Sequence, residues 1–197
     1  MEDAELDYAH RHLVESQEAL EAAAADPDFL NVIGRIADAM AKALVAGGKI
    51  LLCGNGGSAA DAQHIAGELL SRFESDRAPL AAVALSTDTS VLTAVGNDYG
   101  YEQVFARQVN GLGRKGDVLI ALSTSGRSPN VIKAIDAARK RGLVTVGITG
   151  RKGGEMHVCD ILLRVHSDRT PVIQQLHITA AHIVCGLVER RLSGAKR

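Results

Sequence analysis

Residues 49–69 read KILLCGNGGSAADAQHIAGEL, and the change of texture inside that stretch decides the fold. Ile50–Cys53 is a short apolar run with no polar alternation, the pattern of a strand covered on both faces. Gly54-Asn55-Gly56-Gly57-Ser58 turns the chain, and Ser58–Phe73 then follows a helical period. Strand, glycine-rich turn and helix open a βαβ unit. Working outward, Ala81–Leu85, Val118–Leu122, Leu143–Ile148 and Ile161–Val165 read as further buried strands. Helical patterns fall between and after them at Ser90–Val95, Tyr101–Leu112, Pro129–Arg141 and Pro171–Leu192, with Ser128 as N-cap and Pro129 at the first position of its helix. The alternation predicts an α/β fold, a doubly wound parallel sheet between two helical layers (flavodoxin-like or Rossmann-like), over residues 49–193.

Ahead of this core, residues 4–25 carry Leu6, Leu13 and Leu20 at heptad spacing, with Ala9 and Ala23 between, until Asp26-Pro27 interrupts the pattern. A second helix follows from Asp28 to Ala46, with Phe29, Ile33, Ile36, Met40 and Leu44 on one face and Gly47-Gly48 as its stop. Residues 4–46 are expected to form a helical hairpin, whose heptad stripe suits packing against other helices, either on its own domain or, in oligomerisation, on another subunit. The whole chain, 1–197, reads as one domain: 197 residues, 46% hydrophobic and 23% charged, suit a single core without disulfide or metal staples.

Composition also narrows the partners. The 22 Lys and Arg nearly balance the 23 Asp and Glu without long runs of either, which argues against nucleic acid or an anionic membrane. The absence of Trp and the low count of three Tyr and three Phe leave few platforms for stacking bases. Cys53, Cys159 and Cys185 are odd in number, far apart and in apolar surroundings, as reduced core thiols are. The opening MEDAELDYAH is acidic and helical rather than a signal peptide, and no apolar run reaches membrane-spanning length, so a cytoplasmic location is expected.

In an open parallel sheet, ligands bind beyond the carboxyl ends of the strands. Two loops there carry polar chemistry. Gly54–Ser58 allows close backbone approach at a helix N-terminus. Ser123-Thr124-Ser125-Gly126-Arg127-Ser128 offers hydroxyl donors at another helix N-terminus, a cup for phosphate that needs no large positive charge. The run GNGGSA also fits the dinucleotide fingerprint. Its expected acidic residue about 20 positions on is missing, however, the candidate Asp88 lying much later. No GK[ST] sequence supports triphosphate chemistry. On the helix after the first loop, Asp61, His64 and Glu68 share one face, and His64 with Glu68 has the spacing to hold one metal ion. The last helix supplies Gln174 and His182, eight residues apart on an otherwise apolar helix. Gln175 and His177 read as solvent-facing. His10, His12, His157 and His166 have no catalytic context.

CGNGGSAADAQHIAGEL, LTAVGNDYGYEQVFARQV, LSTSGRSPNVIKAI and IQQLHITAAHIVCGLVE, in this order, resemble the bacterial phosphoheptose isomerase family of sugar-isomerase (SIS) domain enzymes. The resemblance covers nearly the whole chain beyond the first helix. It implies a homotetrameric zinc enzyme that converts sedoheptulose 7-phosphate to D-glycero-D-manno-heptose 7-phosphate, the first step toward the heptoses of lipopolysaccharide or other surface glycans. By the same resemblance, His64, Glu68, Gln174 and His182 surround the zinc, and Glu68 and His182 form the acid/base pair. Asn55, Gly56, Gly57, Asn97 and Asp98 approach the substrate together with Glu68 and Gln174. Ser123, Thr124, Ser125 and Ser128 hold the phosphate, and Asp61 assists. One position departs: the family commonly carries Glu where this chain has Gln175, and a neutral amide there can still orient a neighbour. A non-catalytic DnaA-binding adaptor on the same fold is the alternative, but such an adaptor has no need of Glu68 and His182. A sugar-phosphate sensor would require a DNA-binding segment for which the chain has no room.

Overall fold

The computed structural model describes residues 2–194; Met1 and residues 195–197 of the expected 1–197 span lie outside them. Helices α1 (Asp3–Ala25) and α2 (Pro27–Val45) precede five strands: β1 (Ile50–Cys53), β2 (Ala82–Ala84), β3 (Val118–Ser123), β4 (Val144–Thr149) and β5 (Ile161–Arg164). Between and after them run α3 (Gly57–Leu70), α4 (Thr89–Tyr99), α5 (Val104–Leu112), α6 (Pro129–Lys140) and α7 (Thr170–Gly194). The strands form one sheet in the order β2-β1-β3-β4-β5, and every pairing is parallel. The α/β expectation therefore holds, as a three-layer sandwich.

Parallel strands covered on both faces carry continuous apolar runs, and alternate residues feed two cores. Ile50, Leu52, Val118, Ile120, Leu122, Val146 and Ile148 pack with α2, α3 and α7. Leu51, Cys53, Leu119 and Ala121 pack with α5 and α6. Each fully buried aliphatic side chain in these layers, such as Ile36 or Met40 of α2, contributes roughly 1.5–3 kcal/mol. Because α3 and α7 lie on the same face and touch, residues more than 100 positions apart meet there.

The structure shifts several elements. α3 ends at Leu70, three residues before Phe73, so the segment after it is free to fold back over α7. α4 starts on Asp88, whose carboxylate accepts from Val91 N at 3.0 Å, and runs to Gly100, which stops it at φ 85°. The residue weighed as a ribose ligand is thus an N-cap, and Asn97 and Asp98 sit in a helical last turn. The expected helix 101–112 divides into a 3-10 turn, Tyr101–Gln103, and α5.

His177 corrects the expectation that it faces solvent. It lies four residues after Ile173 and three before Ala180, on the interior face of α7, and is fully buried with neither ring nitrogen hydrogen-bonded. Burial pushes its pKa from 6.5 down to about 4, against an opposing pull from the Thr149 backbone. The segment Thr170–Ser193 of α7 is long and apolar enough to cross a membrane by length and composition, yet 56% of its apolar window is buried inside the protein. It serves as a core helix, in contact with α2 and α3.

α1 is held differently. Only Ser16, Ala19 and Ala23 are buried, whereas Leu6, Leu13 and Leu20 are 48%, 68% and 42% exposed. The heptad stripe does not lie on the chain's own core.

Candidate active site

The chain changes direction across the sheet between β1 and β3, the switch point at which an open α/β sheet leaves a crevice. The loops leaving these two strands are tied together by a reciprocal amide pair. Asn55 Nδ2 donates to Asn130 Oδ1 and Asn130 Nδ2 to Asn55 Oδ1, both at 2.8 Å. Asn130 Oδ1 also accepts from Val131 N at 3.0 Å. Sequence reasoning missed Asn130, whose only signal was an amide one residue inside a helix start.

In the first loop Gly56 takes φ 54°, open to glycine at little cost, and forms the N-cap of α3. Gly57 leaves room for a side chain of α7. A Cβ there would lie 2.2 Å from Nε2 of Gln174, so the Gln174 amide rests directly on the loop backbone.

Along α3, His64 and Glu68 project toward α7 and meet His182. His64 Nε2 lies 3.1 Å from Glu68 Oε1 and 2.9 Å from His182 Nε2. The ligand atoms of these three residues all fall within 4.8 Å of one another, which makes them a possible metal-binding triad. The donor set fits zinc: two imidazole nitrogens and a carboxylate oxygen are among its usual ligands. The triad is open to solvent on one side, with the His64 side chain 48% exposed. On the other side the Phe73 ring stacks on His182, centroids 5.4 Å apart and planes 22° apart. Phe73 was not singled out from sequence, because nothing in the chain after α3 announces where it folds back.

Asp61, one turn before His64, has a buried Oδ2 without a hydrogen-bond partner. Burial raises the pKa of its carboxyl, with His64 pulling the other way. The three thiols offer no nucleophile, since burial pushes Cys53 up strongly and Cys159 and Cys185 up to about 12.

Of the hydroxyls of the second loop, Ser123 and Ser128 are bonded to each other, and Thr124, Ser125 and Ser128 line cavities. Ser123 ends β3 and is buried, its Oγ 3.0 Å from Ser128 Oγ and accepting from Gly126 N at 3.2 Å. Thr124 and Ser125 line a cavity of about 270 Å³ with Arg127, Gly150, Lys152 and Thr170. Ser128 lines a separate, wider cleft with Asn55, Tyr99 and Tyr101. Arg127 and Lys152 bring positive charge to the lining of the first cavity and Asp168 a negative one. Asn97 and Asp98 are exposed and are joined to each other, Nδ2 to Oδ1 at 2.8 Å. Within one chain they are not among the partners of the triad.

A doubly wound sheet with polar loops at its carboxyl edge and a His/Glu/His cluster between two helices defines the class, and residues 12–150 match the SIS domain family. Phosphoheptose isomerase from Burkholderia pseudomallei is 55% identical over 195 residues, 98% of this chain and 99% of that protein. The solved phosphoheptose isomerase of Neisseria gonorrhoeae superposes with a TM-score of 0.88 at 44% identity, covering 94% of this chain and 98% of the other. That of Francisella tularensis gives 0.88 at 40% identity, with 94% and 98% covered. This chain belongs to the phosphoheptose isomerase family of SIS-domain proteins, and is an enzyme of the isomerase class.

Proposed function

We propose that this protein converts D-sedoheptulose 7-phosphate to D-glycero-D-manno-heptose 7-phosphate, as the names of its relatives suggest. In the cell this would be a first step toward ADP- or GDP-heptose for lipopolysaccharide or another surface glycan. The observation that carries the reading is the convergence of His64, Glu68 and His182 onto one point from two helices far apart in the chain.

Ketose-to-aldose exchange removes a proton from C1, passes through an enediolate, and delivers a proton to C2, while a hydroxyl proton moves from O1 to O2. Glu68 takes the carbon-bound proton and returns it; the imidazole of His182 handles the oxygen-bound one. His64, Glu68, Gln174 and His182 would hold one zinc ion. The chemistry it supplies when bound is a positive charge that polarises the substrate carbonyl and steadies negative charge on oxygen. Gln174, resting on Gly57, aligns the loop backbone of Asn55 and Gly56 with the sugar, and Asp61 assists from the same helix face. Thr124 and Ser125 bind the distal phosphate from the cavity they line, with Ser123 and Ser128 holding the loop and completing the hydroxyl set.

The working form is a homotetramer over the domain 1–197, with helices 4–46 at its centre. Support comes from the exposed Leu6, Leu13 and Leu20, and from an apolar groove lined by Leu20, Leu30 and Ile183. The open side of the triad and the solvated Asn97 and Asp98 fit a site completed by a neighbouring subunit. Free thiols and near-balanced charge agree with a cytoplasmic enzyme that binds neither nucleic acid nor membrane.

The test is incubation with sedoheptulose 7-phosphate, with the aldose product followed by NMR. Wild type is expected to form it, and Glu68→Gln and His182→Asn to do so at least about a hundredfold more slowly with the fold retained. A wild-type protein that binds the sugar phosphate without turning it over would favour the adaptor reading.

A further inference from the structure

Glu189 lies on α7 two turns beyond His182, is 3% exposed, and has no part in the chemistry described above. A buried carboxylate is costly unless its lone pairs are met, and this one is met fully. Oε1 accepts from Phe73 N at 2.9 Å and from Arg77 Nε at 2.8 Å. Oε2 accepts from Glu74 N at 3.0 Å and Ser75 N at 2.9 Å.

Arg77 uses its remaining donors on the end of α3. Its Nη2 donates to the carbonyl of Glu68 at 2.7 Å, and its Nη1 to those of Leu69 at 2.8 Å, Ser71 at 3.4 Å and, beyond the helix, Ala78 at 3.1 Å. The last helical carbonyls, which have no partner within the helix, are thereby satisfied by a guanidinium.

One ion pair thus fixes two things at once. It anchors the backbone of Phe73, whose ring lies flat against the His182 imidazole, and it holds the final turn of α3, which carries Glu68. We propose that Phe73 and the Arg77–Glu189 pair are positioning residues of the active site, setting the ring plane of His182 and the reach of Glu68. The inference rests on the acid/base reading of those two groups. Phe73 also packs on the core that α7 shares with α2 and α3, so the same ring covers that core and faces the imidazole, 22° from its plane.

The test uses the full-length protein in Phe73→Leu, Phe73→Tyr and Arg77→Lys forms, with kinetics on zinc-loaded protein and NMR of the His182 ring protons on metal-free protein. Those resonances are assigned by their loss in His182→Asn. In Phe73→Leu the ring-current shift on His182 should disappear, and kcat should fall about tenfold or more, as when a group orienting a metal ligand is removed. KM should stay within about twofold and Tm close to wild type. Phe73→Tyr should restore both shift and kcat. Arg77→Lys keeps the charge but loses the fork, and should lower kcat without changing KM.

An unshifted His182 resonance in Phe73→Leu, or wild-type kcat in both Phe73→Leu and Arg77→Lys, would overturn the inference. Losses of kcat, KM and Tm together in both would do the same, by reducing the clamp to a stability element. A Glu68→Gln enzyme with normal kcat would overturn the acid/base reading instead, and the NMR shift would still report on the clamp.

Discussion

His177 and His182 lie five residues apart on α7 and meet opposite surroundings. His182 is half-buried at the mouth of the triad, and His177 is enclosed among Ile173, Ala180 and the strand end at Thr149. The enclosed ring stays neutral down to about pH 4 in the folded protein, whereas the unfolded chain takes up that proton near pH 6.5. Between those values the unfolded state binds more protons, so stability must fall as pH is lowered, by up to about 1.4 kcal/mol per pH unit. His177→Leu removes this contribution. Urea titrations at pH 7 and pH 5 should show the variant losing less stability than wild type over that interval; equal losses would clear His177 of any part in acid sensitivity. Gly57 offers a second measurement at this scale. The atom in the way of a new Cβ is the tip of a flexible side chain, so Gly57→Ala should fold with a nearly normal Tm while displacing the Gln174 amide. Zinc affinity, measured by competition with a chelator, is expected to drop about tenfold; undiminished affinity would remove Gln174 from the metal shell.

At the scale of elements, the loop after β3 divides its labour. Ser123 and Ser128 are bonded to each other and stiffen the turn, while Thr124 and Ser125 face the cavity shared with Arg127 and Lys152. Substitution at the two kinds of position should therefore read differently. Ser125→Ala should raise KM about fivefold, the equivalent of about 1 kcal/mol for one lost hydrogen bond, with kcat little changed. Lys152→Gln should raise KM as well and weaken its dependence on salt, because a charge near the phosphate is screened by ions. If competitive inhibition by inorganic phosphate is the same in Ser125→Ala, Lys152→Gln and wild type, the phosphate binds outside this cavity.

For the whole molecule, the exposed leucines of α1 set the expectation. Leu13 at 68% exposure is the most open of the three, at the middle of a stripe that its own chain leaves largely uncovered. Packing four such stripes together would bury it completely, so Leu13→Asp places a carboxylate in a closed apolar seam and should dissociate the assembly. Sedimentation and rate assays run in parallel should show smaller particles and lower activity, as the proposed tetramer, with its site completed by a neighbour, requires. A fully active monomer would break the link between assembly and catalysis.

Much of this was legible before any coordinates. The five strands and the helices between them follow from apolar runs bounded by Gly, Ser and Asn, because burial on both faces of a parallel sheet leaves a local imprint in each strand. His64 with Glu68 was legible because an i, i+4 pair on a helix needs only the helix to form. What the sequence could not carry is anything requiring two segments to meet. That His182 stands 2.9 Å from His64, that Asn55 pairs with Asn130, and that Arg77 and Glu189 clamp α3 to α7 depend on α3 and α7 sharing one face of the sheet. The same packing turns His177 inward and His182 outward on one helix. The sequence by itself determined the α/β class, the glycine loop and the i, i+4 pair His64 and Glu68, because these rest on local pattern. The tertiary structure alone decided which residues converge, because convergence is a property of packed elements far apart in the chain.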